Sequence, residues 1–184
     1  MGLAMTGWLQ EDYINAYRFA AEAHNGQLVP GTGLPYVVHI SLVSMEVIVC
    51  LGMEEGPHNG NLTVQCALLH DVIEDTDITF QELEINFGKE TAAGVQALTK
   101  DKTLAKELRI QDSLQRIRQQ PVDIWMVKLA DRITNLSPPP SYWDKEKIRQ
   151  YRNESVDIYN ALNKASDCLG KRLEMKIEAY KDYL

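Results

Sequence analysis

Apolar residues recur every three or four positions along most of the chain, which is the spacing of amphipathic helices. Between residues 10 and 24, for example, Tyr13, Ala16, Tyr17 and Ala20 share one face. No window shows the alternation of strand-forming residues that is typical of a half-buried strand. The sequence therefore predicts an all-α, compact single-domain helical bundle over residues 1–184. Its helices are expected at 10–24, 36–51, 64–75, a short segment ending at 88, 89–100, a charged segment ending near 120, 122–136, 142–167 and 170–183.

Glycine and proline interrupt this pattern at a few places. Residues 26–35 hold three glycines and two prolines, so a shaped loop is expected between the first two helices. Residues 52–61 form a second turn region, which contains His58. Thr79 followed by Glu82 has the spacing of a capping box, which predicts a helix start. Gly170 is expected to separate the last two helices.

Composition narrows the class of protein. With 184 residues, 45% hydrophobic and 24% charged, the chain has the size and composition of one soluble domain. The formal net charge of −7 disfavours a nucleic-acid polymer as partner, because backbone phosphates require a basic surface. No run approaches the ~18 to 20 apolar residues of a membrane span. Residues 1–6 match a loose acylation pattern, which we interpret as accidental, so no membrane partner is expected.

The cysteines suggest a compartment. Cys50, Cys66 and Cys168 are odd in number, lack metal-type spacing and occur in apolar helical patterns. We therefore expect all three to be reduced, which predicts a cytoplasmic location. Exposed apolar helix faces would permit a homodimer.

The densest candidate chemistry lies between Ala67 and Thr76. There a short apolar run is followed by four polar side chains, His70, Asp71, Glu74 and Asp75. Clustered carboxylates repel one another unless a cation or proton compensates them, so a divalent metal site is the simplest explanation. For an isolated His-Asp pair, a solvated helix end would be the better interpretation.

Two further residues change that balance. His39 lies in the first turn of the second expected helix, and Asp131 lies near the end of the helix that ends before Pro138. Together with His70 and Asp71 they give two imidazoles and two carboxylates, each at or near an end of an apolar helix. This set suits a first-row divalent ion such as Mn, Fe or Zn.

The order His39, His70-Asp71, Asp131 resembles that of the HD-domain metal-dependent phosphohydrolases. Within them, Ala67 to Thr76 is similar to the hydrolase domain of the RelA/SpoT alarmone enzymes. The supporting motifs follow in the same order: Ala23-His24-x-Gly26-Gln27, Pro35-Tyr36-x-x-His39, Phe87-Gly88, Val95-x-Ala97-Leu98-Thr99-Lys100 and Lys128 to Leu136. The resemblance covers about residues 12–165 and stops where bifunctional members continue into a synthetase domain, so a stand-alone small alarmone hydrolase is expected.

The resemblance implies a role for each matching residue. His39, His70, Asp71 and Asp131 would bind the metal, usually manganese in this family. Glu74 and Asp75 would position and deprotonate the water that attacks the 3′-pyrophosphate of (p)ppGpp or (p)ppApp, which releases pyrophosphate. The implied substrate contacts are His24, Lys102, Asn135, Lys147 and Tyr151. Alternatively, Lys102 and Lys147 are ordinary surface lysines and Tyr151 is a packing residue.

One departure from the family pattern concerns the nucleobase. Members that act on guanosine tetraphosphate usually carry a basic pair after the glutamine, whereas this chain has Leu28 and Val29 there. Without those cations a stacking contribution is missing, so adenine becomes a serious alternative to guanine. Two other functions stay open: an HD nucleotidase that removes a single phosphate, and a nucleotide-binding module that turns nothing over.

Overall fold

The structure is a computed structural model that describes residues 7–184, so the acylation pattern at residues 1–6 lies outside the described part. Within 7–184 the chain is helical, and its backbone pairs as in a sheet at one isolated bridge, between Leu28 and Pro35. The all-α prediction is confirmed. The helices are α1 Gln10–Ala23, α2 Val37–Met53, α3 Gly60–Leu69, α4 Val72–Asp75, α5 Phe80–Leu98, α6 Arg109–Ile117, α7 Val122–Asn135, α8 Lys145–Leu162 and α9 Asp167–Ala179.

Three helices, α2, α3 and α7, pack against one another at the centre of the molecule. Their sequences explain this place, because α3 is apolar around most of its circumference and buries eight of its ten residues. Helices α1 and α5 cover α3, while α8 and α9 cover α7. The ends of three mutually packed core helices therefore lie close together.

Gly94 shows how closely the central helices approach. A Cβ at this position of α5 would lie 2.5 Å from Ile124 Cδ1 and 2.9 Å from Cys66 Sγ. Both distances are far below van der Waals contact, so a larger residue would push α5 away from α3 and α7. Glycine here fixes the spacing of the core that carries the site.

The expected helix over residues 64–75 is broken in the structure. Helix α3 ends at Leu69, Asp71 has φ −106° and ψ −1°, and the single turn α4 begins at Val72. His70 Nδ1 lies 2.9 Å from the carbonyl oxygen of Ala67, so the imidazole occupies one of the carbonyl groups that a helix end leaves free. The break turns Glu74 and Asp75 away from the direction that a continuous helix would give them.

Other boundaries also differ from expectation. The break predicted at Gly170 lies at Ser166, whose hydroxyl accepts a hydrogen bond from Leu169 N and begins α9. The charged helix is shorter than expected, since α6 spans Arg109–Ile117 and ends before residue 120. The capping box at Thr79 is confirmed, and a kink at Gly88, with φ 83°, divides α5 where a helix end was expected.

Two of the cysteines are paired. Cys50 on α2 and Cys168 on α9 form a disulfide with Cα atoms 5.6 Å apart, whereas Cys66 is free and buried. The prediction that all three are reduced is therefore wrong for Cys50 and Cys168. A sequence separation of 118 residues gave no sign that α9 packs against α2. None of the described helices is both long and apolar enough to pass through a bilayer.

Candidate functional site

Each of the three central helices supplies one side chain to a buried cluster. His39 lies in the first turn of α2, His70 directly follows α3, and Asp131 lies in the last turns of α7. The two Nε2 atoms of His39 and His70 are 3.2 Å apart, and each lies 3.6 to 3.7 Å from Asp131 Oδ1. The three residues are 3 to 7% exposed. One ligand atom from each lies within 4.8 Å of the others, a separation that allows one ion to contact all three.

Asp71 completes the set that the sequence predicts. Its Oδ2 lies 2.9 Å from His70 Nε2 and 3.7 Å from His39 Nε2. The break after α3 brings this carboxylate onto the cluster, because Asp71 leaves the helical path of the residues before it. All four predicted ligands therefore lie in one cluster, in which Asp71 is next to the two histidines.

Neighbouring groups fix the orientation of these side chains. Lys128 Nζ donates to Asp131 Oδ2 at 2.9 Å, and the Asn135 amide donates to Asp131 Oδ1. His70 Nδ1 lies against a carbonyl oxygen and donates its proton there, so Nε2 is the ring nitrogen that faces the cluster. Such outer contacts are typical of histidines that bind metals.

The pKa shifts of Asp131 and His70 follow from the opposite charges that meet in the cluster. Burial opposes ionisation of Asp131, yet the Lys128 ammonium and the imidazoles hold the pKa of Asp131 well below its usual range. Burial likewise opposes protonation of His70, but Asp71 and Asp131 raise the pKa of His70 to about 9. The two carboxylates attract a cation, and the two imidazoles supply nitrogen donors. Together they form a donor set that suits a divalent metal.

The two predicted catalytic acids occupy different surroundings. Both carboxylate oxygens of Glu74 accept hydrogen bonds from Lys100, one from its backbone N–H and one from Nζ, each at 2.9 Å. The Asp75 side chain is 35% exposed, and its nearest cation is Lys102 Nζ at 3.5 Å. Burial together with the negative charges of Asp71 and Glu74 raises the pKa of Asp75. Glu74 is therefore held in place, while Asp75 is freer to exchange a proton.

Two cavities adjoin the cluster. The charged cavity, about 370 Å³, is lined by Asp71, Glu74, Asp75, Asp131 and several cations. The apolar cavity, about 380 Å³, has His39 at its wall and lies between the 26–35 loop, Pro138 to Pro140 and side chains of α2, α7 and α8. Asn135, Trp143 and Tyr151 line both cavities, so the two lie side by side, and we refer to the pair as the cleft. The cations of the charged cavity are Lys100, Lys106, Arg109, Lys128, Arg132 and Lys147.

The wall of the apolar cavity depends on a glycine. Gly31 has φ +76°, and a Cβ on it would lie 2.8 Å from Pro140 Cβ. Both observations favour glycine, since other residues rarely adopt this φ and would clash with Pro140. Gly31 therefore lets the loop close against the proline run and shape the cavity between them.

The predicted substrate contacts divide into two groups. Asn135, Lys147 and Tyr151 line the cleft, and Lys147 Nζ lies 5.3 Å from the centre of the Trp143 indole ring. His24 and Lys102 are absent from the walls of these two cavities, and Lys102 lines a third cavity of about 380 Å³ beside Glu74 and Lys100. The Lys102 side chain is 61% exposed and donates to the carbonyl oxygen of Glu74, whereas His24 is 4% exposed and stacks on Tyr36.

Sequence reasoning missed several polar contacts of the site. Lys100 holds Glu74 from the loop after α5, and nothing in the spacing of the two residues indicates that they meet. Lys128 was easier to find, because it lies three residues before Asp131 and so shares its helix face. Trp143 lines both cavities, and no residue spacing in the sequence indicates this position.

Comparisons with known proteins agree with this geometry. A family model described as an HD domain matches residues 16–168. Guanosine-3′,5′-bis(diphosphate) 3′-pyrophosphohydrolase MESH1 of Danio rerio is 31% identical over 170 residues, which cover 88% of this chain and 89% of MESH1. The bifunctional (p)ppGpp synthase/hydrolase SpoT of Escherichia coli K12 is 33% identical over 166 residues, which cover 84% of this chain and 22% of SpoT.

A solved structure extends the comparison to the fold. It is described as a metazoan ortholog of SpoT that hydrolyses ppGpp, and it matches with a TM-score of 0.80 and 26% identity. The match covers 94% of this chain and 97% of the other. The family model and MESH1 each match more than two thirds of the chain, in the region that contains the four clustered residues. This chain therefore belongs to the HD-domain hydrolases and, among them, to the group that contains the MESH1- and SpoT-type 3′-pyrophosphohydrolases.

Proposed function

We propose that this protein is a metal-dependent hydrolase that removes the 3′-pyrophosphate of a purine nucleotide alarmone, (p)ppGpp or (p)ppApp. The observation that carries the proposal is the convergence of His39, His70, Asp71 and Asp131 where a charged and an apolar cavity meet. A nucleotide has the same division, since its phosphates are anionic and its base is largely apolar. The activities of the similar proteins MESH1 and SpoT support this reaction.

The four clustered side chains would hold the cation, for which manganese is our proposal. Two nitrogen and two oxygen donors match the preferences of manganese, and iron or zinc would be bound by the same set. When bound, the cation would act as a Lewis acid toward a phosphoryl oxygen and would make a nearby water more acidic. The chain's own residues would then have to orient the substrate and move protons.

Asp75 is the proposed proton acceptor. It would take a proton from the water whose oxygen bonds to the phosphorus attached to the ribose 3′-oxygen. The bond between that phosphorus and the 3′-oxygen would break, the 3′-oxygen would take up a proton, and pyrophosphate would leave. Glu74, held at both oxygens by Lys100, would orient the water. Its fixed carboxylate is suited to this task because no rotation is needed before reaction.

We propose positions for the rest of the nucleotide from the residues that line the cleft. Lys106 and Lys147 line the charged cavity and would contact the phosphates. Their positive charge would offset the repulsion between the phosphates and the carboxylates of the same cavity. Asn135 and Tyr151, which line both cavities, would lie beside the ribose. The base would enter the apolar cavity against Val29 and the prolines. His24 and Lys102 lie outside the walls of both cavities and have no part in this arrangement.

The 26–35 loop favours a second candidate function. Its Leu28 and Val29 provide no cation for stacking on a purine, so the base contributes less to binding than in members with the basic pair. A nucleotidase that removes a single 3′-phosphate from varied nucleotides would tolerate such a loop.

Cytoplasmic location and a homodimer stay predictions. Because Cys50 and Cys168 are paired, the predicted cytoplasmic location now rests on the nucleotide substrate and no longer on reduced cysteines.

Product analysis tests the proposal. Protein loaded with Mn²⁺ is incubated with ppGpp, ppApp and a nucleoside 3′-monophosphate, and the products are separated by anion-exchange chromatography. Pyrophosphate from either alarmone supports the proposed reaction and ranks the two bases. Orthophosphate as the product would favour the nucleotidase, and intact nucleotides would point to a binding module.

A further inference from the structure

Two sequence motifs have no assigned part in the proposed reaction, and they meet beside the metal cluster. The first contributes His24 and Gln27, and the second contributes Tyr36. The imidazole of His24 stacks on the phenol ring of Tyr36 with ring centres 4.7 Å apart and planes at 30°. The Tyr36 hydroxyl donates a hydrogen bond to Asp71 Oδ2. A continuous line of contact therefore runs from the end of α1 to a candidate ligand.

Gln27 joins the two motifs at the base of the 26–35 loop. The side-chain oxygen of Gln27 is hydrogen-bonded to His24 Nδ1. The backbone carbonyl oxygen of Gln27 accepts a hydrogen bond from Tyr36 N at 2.9 Å. A second backbone bond, from Val29 N to Leu34 O at 2.9 Å, closes the loop above this point. The ring of Tyr36 thus cannot shift without breaking contacts on both sides.

Asp71 needs such support more than Asp131 does. Asp131 is held by Lys128 and Asn135 on its own helix, but Asp71 lies in the break between α3 and α4. Within residues 7–184 its side chain has three nearby polar partners: His70 Nε2 at 2.9 Å, His39 Nε2 at 3.7 Å and the Tyr36 hydroxyl. Both imidazoles are themselves candidate metal ligands. Tyr36 is then the contact that remains to orient the Asp71 carboxylate.

We propose that Tyr36 is a positioning residue that orients Asp71 for metal binding, and that His24 acts through Tyr36 and not on the substrate. This inference shares one premise with the proposed function, namely that the cluster binds a metal. It replaces the direct substrate contact that the sequence implies for His24, which is buried behind the phenol ring. Hydrogen bonds to metal-binding side chains typically change metal affinity or activity by about 10- to 100-fold.

The test compares Tyr36→Phe with the parent protein by equilibrium dialysis against Mn²⁺, without any nucleotide. The variant keeps the ring that stacks on His24 and loses only the hydroxyl, so the fold is expected to survive. We expect Mn²⁺ affinity to fall about 10-fold or more. His24→Ala is expected to weaken Mn²⁺ binding in the same direction but less, and the double variant to lose less than the product of the two effects.

Tyr17→Phe is the matched control. Its hydroxyl accepts a hydrogen bond from Ser41 at 3.3 Å and has no contact with the cluster, so Mn²⁺ affinity should equal that of the parent. Unchanged Mn²⁺ affinity in Tyr36→Phe overturns the proposal, and a raised KM with unchanged metal affinity would show that the hydroxyl contacts substrate. Because dialysis needs no turnover, a protein that hydrolyses no alarmone would refute the proposed function and leave this result standing.

Discussion

The two cavities of the cleft are built in different ways. The acidic groups of the charged cavity lie on or next to core helices, and Glu74 and Asp131 each accept hydrogen bonds from two donors. The apolar cavity is formed in part by the 26–35 loop and a proline run, whose side chains offer surface and no charge. Helical positions hold chemical groups at fixed distances, whereas loops vary at little cost to the core. We therefore expect turnover to depend on the first cavity and substrate choice on the second.

The sharpest break in this comparison is expected from Asp71→Ala. Removal of one of two carboxylates leaves the imidazoles with half of the negative charge that attracts a cation. We expect the variant to lose bound Mn²⁺ at concentrations that saturate the parent, and to lose hydrolysis with it. Metal content after gel filtration, measured by atomic emission, checks this result. Asp157→Ala, on the exposed face of α8, is the control and should retain both.

Substitution of the proposed acids should separate metal binding from turnover. Asp75→Asn removes the proton acceptor but no candidate ligand, so kcat should fall by about 10²- to 10⁴-fold while metal content is unchanged. Glu74→Ala should behave in the same way, and equal metal loss in Glu74→Ala and Asp71→Ala would contradict these roles. Asp77→Asn, an exposed neighbour, should leave kcat at the parent value.

Change in the apolar cavity should alter selectivity and spare kcat. Val29→Arg places a guanidinium where members with the basic pair carry a cation, and a stacked cation contributes about 0.5 to 1 kcal/mol at an exposed site. We therefore expect KM to fall about 2- to 5-fold, with a change in the ratio between ppGpp and ppApp. Steady-state kinetics with both alarmones measure the KM values and their ratio. A large change in kcat would show that the two cavities are not independent.

The smallest effect on activity is expected from the disulfide. It joins α2 to α9 through Cys50 and Cys168, which lie outside the walls of both cavities. Closure of a loop of this length should stabilise the protein by about 2 to 5 kcal/mol, so Cys168→Ser should lower the urea midpoint while kcat and KM change little. Reductant should lower the midpoint of the parent and leave that of the variant unchanged. Equal sensitivity in both proteins would contradict this explanation.

Features that depend on nearby residues could be predicted from the sequence, whereas those that depend on distant contacts could not. The helices were predicted because their signal is local, and the capping box at Thr79 was found for the same reason. The continuous helix over residues 64–75 was wrong because its break depends on what His70 and Asp71 contact. Cys50 and Cys168 were not paired in advance, since pairing requires knowledge of which helices are neighbours.

The sequence by itself determined the helical class and the set of side chains that carry the chemistry. His39, His70, Asp71 and Asp131 stand out because polar groups at the ends of apolar helices are costly without a function. Only the tertiary structure decided which groups meet: α2, α3 and α7 bring the four together, Lys100 takes both oxygens of Glu74, and Tyr36 separates His24 from the cleft. These contacts join residues far apart in the chain, and packing of the core, not local spacing, sets their distances.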